Sequence, residues 1–163
     1  MNEGSVTELS ALTGALVQVL HSGEDDFDGD VAITSDGTHV WVANFVGNCA
    51  SPCDGPGVYG SVTELSASTG DLVQVVTNDG FDEPVAIASD GTDVWVANQA
   101  DSDLDLTPSI SELSAATGDL VQVLSASSYG LNDPTAVASD GAHVWVTNGV
   151  ADSVTEFSAT TGG

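Results

Sequence analysis

A repeated segment is the feature that most constrains what this chain can fold into. The segment Ser-Val-Thr-Glu-Leu-Ser-Ala returns with small changes after 56, 48 and 44 residues, at positions 5–11, 61–67, 109–115 and 153–159. The first three copies continue as Thr-Gly-x-Leu-Val-Gln-Val. Repeats of this length are single supersecondary units that cannot bury their apolar face alone, so we expect them to stack around a continuous core.

Each full unit contains four short strand candidates. A second block at 31–44, 85–98 and 135–148 gives strand A, a Ser-Asp-Gly turn and strand B with its Val-Trp-Val run. The repeated segment gives strand C, and Leu-Val-Gln-Val gives strand D. Asp-Gly is a strong hairpin signal, and unbroken apolar residues in strand B predict burial on both of its faces. The pattern predicts an all-β fold of tandem four-stranded antiparallel β-propeller blades.

The order of the strands predicts an incomplete ring. We assign residues 1–163 to one domain, with strands C and D at 5–20, blades at 31–77 and 85–124, and a partial blade at 135–158. About three blades and one surplus strand result, whereas closed propellers have roughly four to eight blades. Another chain or further blades of a longer protein would supply the missing strands. The expected assembly strands contain Ser5, Val6 and Leu9 at one end and Ser153, Val154 and Phe157 at the other.

The charge excludes several classes of partner. The chain has no Lys or Arg, 25 Asp and Glu and only 3 His, for a formal net charge of −25. Nucleic-acid binding and anionic membranes both need basic side chains, and no apolar stretch is long enough to insert into a bilayer. Acid or abundant cations would relieve the self-repulsion. We therefore expect an extracellular or cell-surface location, although the first residues carry no visible signal peptide.

Two cysteines lie close together, at Cys49 and Cys53. Three residues, one of them Pro52, separate them in a tight loop that a disulfide could close. A zinc site would need further ligands that the neighbouring sequence lacks. We favour a disulfide over free thiols, which again points outside the cytosol.

Two acidic segments are candidate calcium sites, and calcium is the only cofactor to which the sequence points. Carboxylates alternate at Asp101, Asp103 and Asp105, but Leu106 stands where a calcium-binding turn needs Gly. A denser cluster at 24–30 contains Asp26, Asp28 and Asp30. In both segments a solvated acidic loop is the simpler interpretation.

Other polar residues recur at fixed repeat positions. A Glu recurs in strand C, where it would accept hydrogen bonds from backbone or hydroxyl groups or, alternatively, line a channel; these are Glu8, Glu64, Glu112 and Glu156. The turn aspartates are read as turn chemistry, the asparagines that end strand B as caps, and the tryptophans as packing residues. His39 and His143 share a position with Asp93. A position that accepts both residue types is expected to be exposed.

The chain resembles the YVTN and NHL-like β-propeller repeats, a superfamily that includes virginiamycin B lyase-like proteins. The resemblance lies in Ala-Ser-Asp-Gly-x-x-Val-Trp-Val-Ala-Asn followed by Ser-Val-Thr-Glu-Leu-Ser, and it covers nearly the whole chain. It implies the propeller fold and little about function. Virginiamycin B lyase-like enzymes use a histidine and a metal at the propeller mouth, but no motif of theirs falls on particular residues here.

Three functional hypotheses follow. The first is a non-enzymatic structural protein that forms a homo-oligomer or fibre by exchanging strands between chains, with no catalytic residue assigned. The second is a ligand- or calcium-binding module within a larger propeller. The third is a lyase-like enzyme, in which His39 or His143 would be essential for turnover.

Overall fold

A computed structural model of the chain describes residues 4–21, 27, 29–45, 60–77, 80–99 and 107–160. Thirteen strands and one helical turn lie within these residues. Every strand pairs antiparallel with its neighbour in sequence, within four sheets. The prediction of an all-β chain of antiparallel blades is therefore confirmed.

The sheets follow the repeat units. The N-terminal hairpin consists of β1 (Ser5–Leu9) and β2 (Leu16–His21), and the first blade of β3 (Asp30–Ser35), β4 (His39–Asn44), β5 (Ser61–Ser66) and β6 (Leu72–Val76). The second blade contains β7 (Pro84–Ser89), β8 (Asp93–Asn98), β9 (Ser109–Ser114) and β10 (Leu120–Ser125). After the turn α1 (Ala126–Tyr129), the third blade contains β11 (Pro134–Ser139), β12 (His143–Asn148) and β13 (Ser153–Ser158).

Each blade begins in the same way. The residue before its first strand has a left-handed backbone, with φ of 68° at Gly29, 50° at Glu83 and 56° at Asp133. The carbonyl of this residue accepts the amide that follows the second strand, at 3.0, 3.1 and 2.8 Å respectively. A Pro opens β7 and β11, which is allowed at the first residue of a strand. This shared geometry fixes where each first strand starts.

The core lies between the blades. Trp41, Ala43 and Val62 of the first blade pack against Val94 and Leu113, among other residues of the second. The second blade presents Trp95, Ala97 and Ile110 to the third in the same way. The first strand of each blade lies beside the first strand of the next. Because β4 and β8 have neighbouring blades or strands on both faces, their second halves are buried throughout, as their unbroken apolar runs predict.

Candidate assembly surfaces

A turn aspartate organises the polar end of each blade. Asp36 Oδ1 accepts the amides of Thr38 and His39, both at 2.7 Å, and its Oδ2 accepts the indole N–H of Trp41 at 3.3 Å. Partial burial alone would raise the pKa of Asp36, but the donors from His39, Thr38 and Trp41 hold it below its ordinary value. Asp90 and Asp140 make the same backbone bonds. The interpretation of these residues as turn chemistry is confirmed, with the Trp contact added in the first two blades.

An Asp–His–Glu cluster lies beside this turn in the first blade. His39 Nδ1 is 3.5 Å from Asp36 Oδ2, and its Nε2 is 3.5 Å from Glu64 Oε1. The side chains of His39, Asp36 and Glu64 are 27, 5 and 4% exposed. The prediction of an exposed position is thus wrong for His39, because Asp36 and Glu64 of β5 lie on either side of its ring and its side chain is largely buried.

The same cluster is open in the third blade. His143 lies 3.8 Å from Asp140 and 3.9 Å from Glu156, and all three side chains are about half exposed. The pKa of Asp140 is lowered, first by the amide of His143 and then by that of Ala142. No described blade covers this cluster, so its groups are still hydrated.

In the second blade, an aspartate replaces the histidine. Burial first, and then the charge of Asp90, raise the pKa of Asp93. Burial also raises the pKa of Glu112, and Asp93 and Asp90 add to this against an opposing hydrogen bond from Gln122. Burial alone would raise the pKa of Asp90, but several hydrogen-bond donors, led by the hydroxyl of Ser139, together lower it. The second blade therefore places three carboxyl groups where the first has a histidine between two.

Three of the four recurring glutamates accept a hydrogen bond from a glutamine side chain. The Nε2 of Gln18, Gln74 and Gln122 donates to Glu8, Glu64 and Glu112 at 2.7, 2.6 and 2.5 Å. The sequence analysis predicted backbone or hydroxyl donors for these glutamates and missed the glutamines. The Gln that recurs in every Leu-Val-Gln-Val segment could have indicated them. Glu64 and Glu112 are buried, so the channel alternative is wrong for them.

The same glutamines connect neighbouring units. Gln18 of the N-terminal hairpin also donates to the carbonyl of Thr69 in the first blade, at 3.2 Å. Gln74 donates in the same way to Thr117 in the second blade, at 2.9 Å. The N-terminal hairpin therefore occupies the position of a blade, with its two strands as the third and fourth of that blade.

In each blade, the asparagine that ends the second strand joins this strand to the third strand. Asn44 Nδ2 donates to Ser61 and Thr63, both at 3.0 Å. Asn98 makes the equivalent bonds to Ser109 and Ser111. The prediction that they act as strand caps is therefore incomplete, since their main contacts run across the blade.

The first open surface lies between β1 and β3. Ile33 is 55% exposed, whereas Ile87, at the same repeat position, is 8% exposed because the first blade covers it. A groove of about 260 Å³ runs here, lined by Ser5, Val6, Val31 and Ile33, among others. Within the described residues, β1 pairs only with β2. The groove therefore lies where the first two strands of a blade containing the N-terminal hairpin would pack.

The second open surface is the outer face of the third blade. Val154 is 62% exposed, whereas Val62 and Ile110 at the same repeat position are fully buried. Trp145 is only half-buried, although Trp41 and Trp95 are fully buried. The assembly residues Ser153 and Val154 are thus exposed, as are Ser5 and Leu9 of β1, while Val6 is half-buried against the first blade and Phe157 is buried against the second.

The other candidate sites fall largely outside the described residues. This holds for Cys49 and Cys53, for Asp26 and Asp28, and for Asp101, Asp103 and Asp105. Asp30 is described and begins β3. In the part of the chain that the structure describes, no group of His, Cys, Asp and Glu could hold a metal ion, and no helix could cross a bilayer.

Comparisons with known proteins identify the fold. No family model and no curated protein matches the sequence. Hydrazine synthase from Kuenenia stuttgartiensis matches 83% of the chain with a TM-score of 0.59 and 19% identity. The RRP9 WD40 repeats match 96% of the chain with a TM-score of 0.57 and 14% identity. BamB from Moraxella catarrhalis also matches 96% of the chain, with a TM-score of 0.55 and 16% identity. The chain spans 34, 45 and 42% of these solved chains, respectively, which are β-propeller proteins with four-stranded blades.

Proposed function

We propose that this chain is a non-enzymatic structural β-propeller segment, of the YVTN and NHL-like type, that assembles head to tail with other copies of itself by exchanging a strand. The observation that carries the proposal is that β1 and β13 are copies of one strand and that each lies at an open surface. In the exchange, β1 of one copy replaces β13 of another. The third blade then gains β2 as its fourth strand.

The register of the exchanged strand follows from the repeat. In the first blade, Val40 lies opposite Leu65 and Trp41 opposite Glu64. In the third blade, Val144 lies opposite Phe157 and Trp145 opposite Glu156. After exchange, Val144 would lie opposite Leu9, and Trp145 opposite Glu8, of a second copy. Because the two strands differ little in sequence, the exchange leaves the strand pairing nearly neutral in free energy, as in domain swapping.

The net gain comes from burial of the open surfaces. The strands β11 and β12 of one copy would fill the groove beside β1 and cover Ile33 of the next, as the first blade covers Ile87. The first blade of that next copy would in turn cover Trp145. Burying a large apolar side chain contributes about 1.5–3 kcal/mol. The new contact continues the blade-to-blade interface already present twice in the chain.

After exchange, each copy would account for roughly three complete blades. Two copies would then give a ring of about six blades, which lies within the range of closed propellers. An exterior location is part of the proposal, since acid or dissolved cations would offset the net charge of −25. The Cys49–Cys53 disulfide belongs to the same proposal and is checked by intact mass before and after reduction.

Light scattering after size exclusion tests the proposal, with two Leu-to-Asp variants of the N-terminal hairpin. Leu9→Asp puts a charge at the position of the buried Phe157 and should give a monomer of 16.4 kDa. Leu12→Asp is the matched control, because Leu12 is 94% exposed in the turn of the same hairpin. We expect the unmodified chain and Leu12→Asp to elute as oligomers at micromolar concentration. A monomeric unmodified chain, or equal assembly of Leu9→Asp, would contradict the proposal.

A further inference from the structure

We propose that assembly creates a shared cluster of Asp140 and His143 from one copy and Glu8 from the next, and that protonation of His143 strengthens the assembly in mild acid. This inference rests on the proposed strand exchange. It adds to that exchange a titratable cluster at the contact between copies. The three residues of this cluster come from two different copies.

The first blade provides the template. There His39 lies 3.5 Å from both Asp36 and Glu64, and both carboxylates are almost completely buried. Two buried carboxylates without a nearby cation are costly, because desolvation disfavours charge. The sequence contains no Lys or Arg, so histidine is its only basic side chain. Histidine is therefore the one type of side chain in this protein that can bring a compensating positive charge to such a pair.

The third blade holds two parts of this cluster in the open state. His143 is 3.8 Å from Asp140, while Glu156 supplies the third group from β13. When β13 is displaced, Glu156 leaves with it, and the shared register puts Glu8 of the second copy opposite Trp145. Glu8 already accepts its hydrogen bond from Gln18, as Glu64 does from Gln74. The incoming hairpin is thus arranged to complete the cluster.

Every titratable group that would face His143 is a carboxylate. Asp140 lies in its own turn, and Glu156 is lost on exchange. The second copy contributes Glu8 and, from the turn of its first blade, Asp36. The position of Asp36 follows from the second interface, where Ser139 donates to Asp90 at 2.7 Å, so that Ser35 of the second copy would reach Asp140.

The sign of the pH effect follows from these contacts. Assembly removes water from the carboxylates around His143, so the protonated imidazole is more strongly favoured in the assembly than in the free chain. The assembly therefore takes up a proton and strengthens as the pH falls. Imidazoles ordinarily titrate between about pH 5 and 8, while most carboxylates stay ionised above about pH 5.

The test is the dissociation constant of the assembly at pH 7.5 and 5.5, measured by light scattering at constant ionic strength. For the unmodified chain we expect about a tenfold decrease at the lower pH, and for His143→Gln less than about a twofold change. His21→Gln is the matched control, because exposed His21 stands where the other hairpins have Thr77 and Ser125. This variant also removes one imidazole, and it should keep the tenfold effect.

The outcomes separate this inference from the proposed function. If no variant assembles at either pH, the strand exchange is wrong and the inference falls with it. If all three assemble with the same pH dependence, the proposed self-assembly is not contradicted, but the role of His143 is overturned. Circular dichroism of His143→Gln confirms that the variant keeps its fold, which a half-exposed side chain should not affect.

Discussion

At the scale of single residues, the repeat places different residues in one environment. His39, Asp93 and His143 occupy the same position, next to the turn aspartate and the recurring glutamate. In the second blade, the substitution of Asp for His leaves three neighbouring carboxyl groups. Raised pKa values at Asp93 and Glu112 mean that the folded chain binds protons more tightly than the unfolded chain. This contribution to stability is present below the ordinary carboxyl range and is lost as the pH rises through the folded pKa values.

The Asp93→Asn variant tests this cluster. We expect it to raise the free energy of unfolding at pH 7 by up to about 1 kcal/mol, the size usual for charge pairs near a surface. Near pH 3 the effect should vanish, because Asp93 is then protonated. Urea unfolding at the two pH values measures the change. Asp119→Asn, at an exposed turn of the same blade, is the control, and an equal gain there would mean that net charge alone is responsible.

At the scale of elements, one glutamine joins each fourth strand to the next unit. Gln74 donates both to Glu64 within its blade and to the carbonyl of Thr117 in the second blade. Gly118, beside that carbonyl, packs so closely on Gln74 that a Cβ there would lie 2.2 Å from its Nε2. The Gly of the Thr-Gly turn is therefore needed for two reasons. It adopts a left-handed φ of 73°, and its missing side chain leaves room for the glutamine.

The Gln74→Leu variant should lower the free energy of unfolding by about 2–3 kcal/mol, because buried Glu64 loses its donor. Gln18→Leu is the matched comparison, since its two bonds to Glu8 and Thr69 are exposed, and should cost less than about 1 kcal/mol. Both are measured by chemical unfolding in the Leu9→Asp background, so that assembly does not contribute. Equal losses would indicate that burial of the glutamate is unimportant.

At the scale of the whole molecule, two surfaces that are buried within the chain are open at its ends. Ile33 and Trp145 are the exposed or half-exposed counterparts of Ile87 and Trp95. Long open β-strand edges are prone to pairing with other chains. Lateral docking of whole faces and strand exchange both cover these residues, but only exchange brings Leu9 beside Val144 of another copy.

Photo-crosslinking distinguishes these two modes of assembly. We expect benzoylphenylalanine at Leu9 to crosslink to residues around Val144 of a second copy, since an aromatic side chain, Phe157, already occupies this position in the third blade. The crosslinked peptides are mapped by mass spectrometry after cleavage at Glu, because trypsin has no Lys or Arg site in the chain. The same probe at Leu12 should give no such crosslink. A Leu9 crosslink to other surfaces would exclude the exchange.

The sequence by itself determined the strands, their order and the blade as the repeating unit. These features follow from local signals, namely the Asp-Gly turns, the β-branched residues and the unbroken apolar run around each Trp. Such signals can be recognised in the sequence without knowledge of the tertiary structure. The same holds for the turn aspartates, whose bonds reach only two or three residues along the chain. The mode of assembly and the exterior location stay predictions.

Only the tertiary structure decided which copies of a repeated residue are buried. Ile33 and Ile87 have nearly the same local sequence, but Ile33 faces an open groove and Ile87 faces a neighbouring blade. The double role of the glutamines and the burial of His39 likewise depend on contacts between residues far apart in sequence. Local pattern cannot supply such information, because burial at a repeat position depends on whether another blade lies against it.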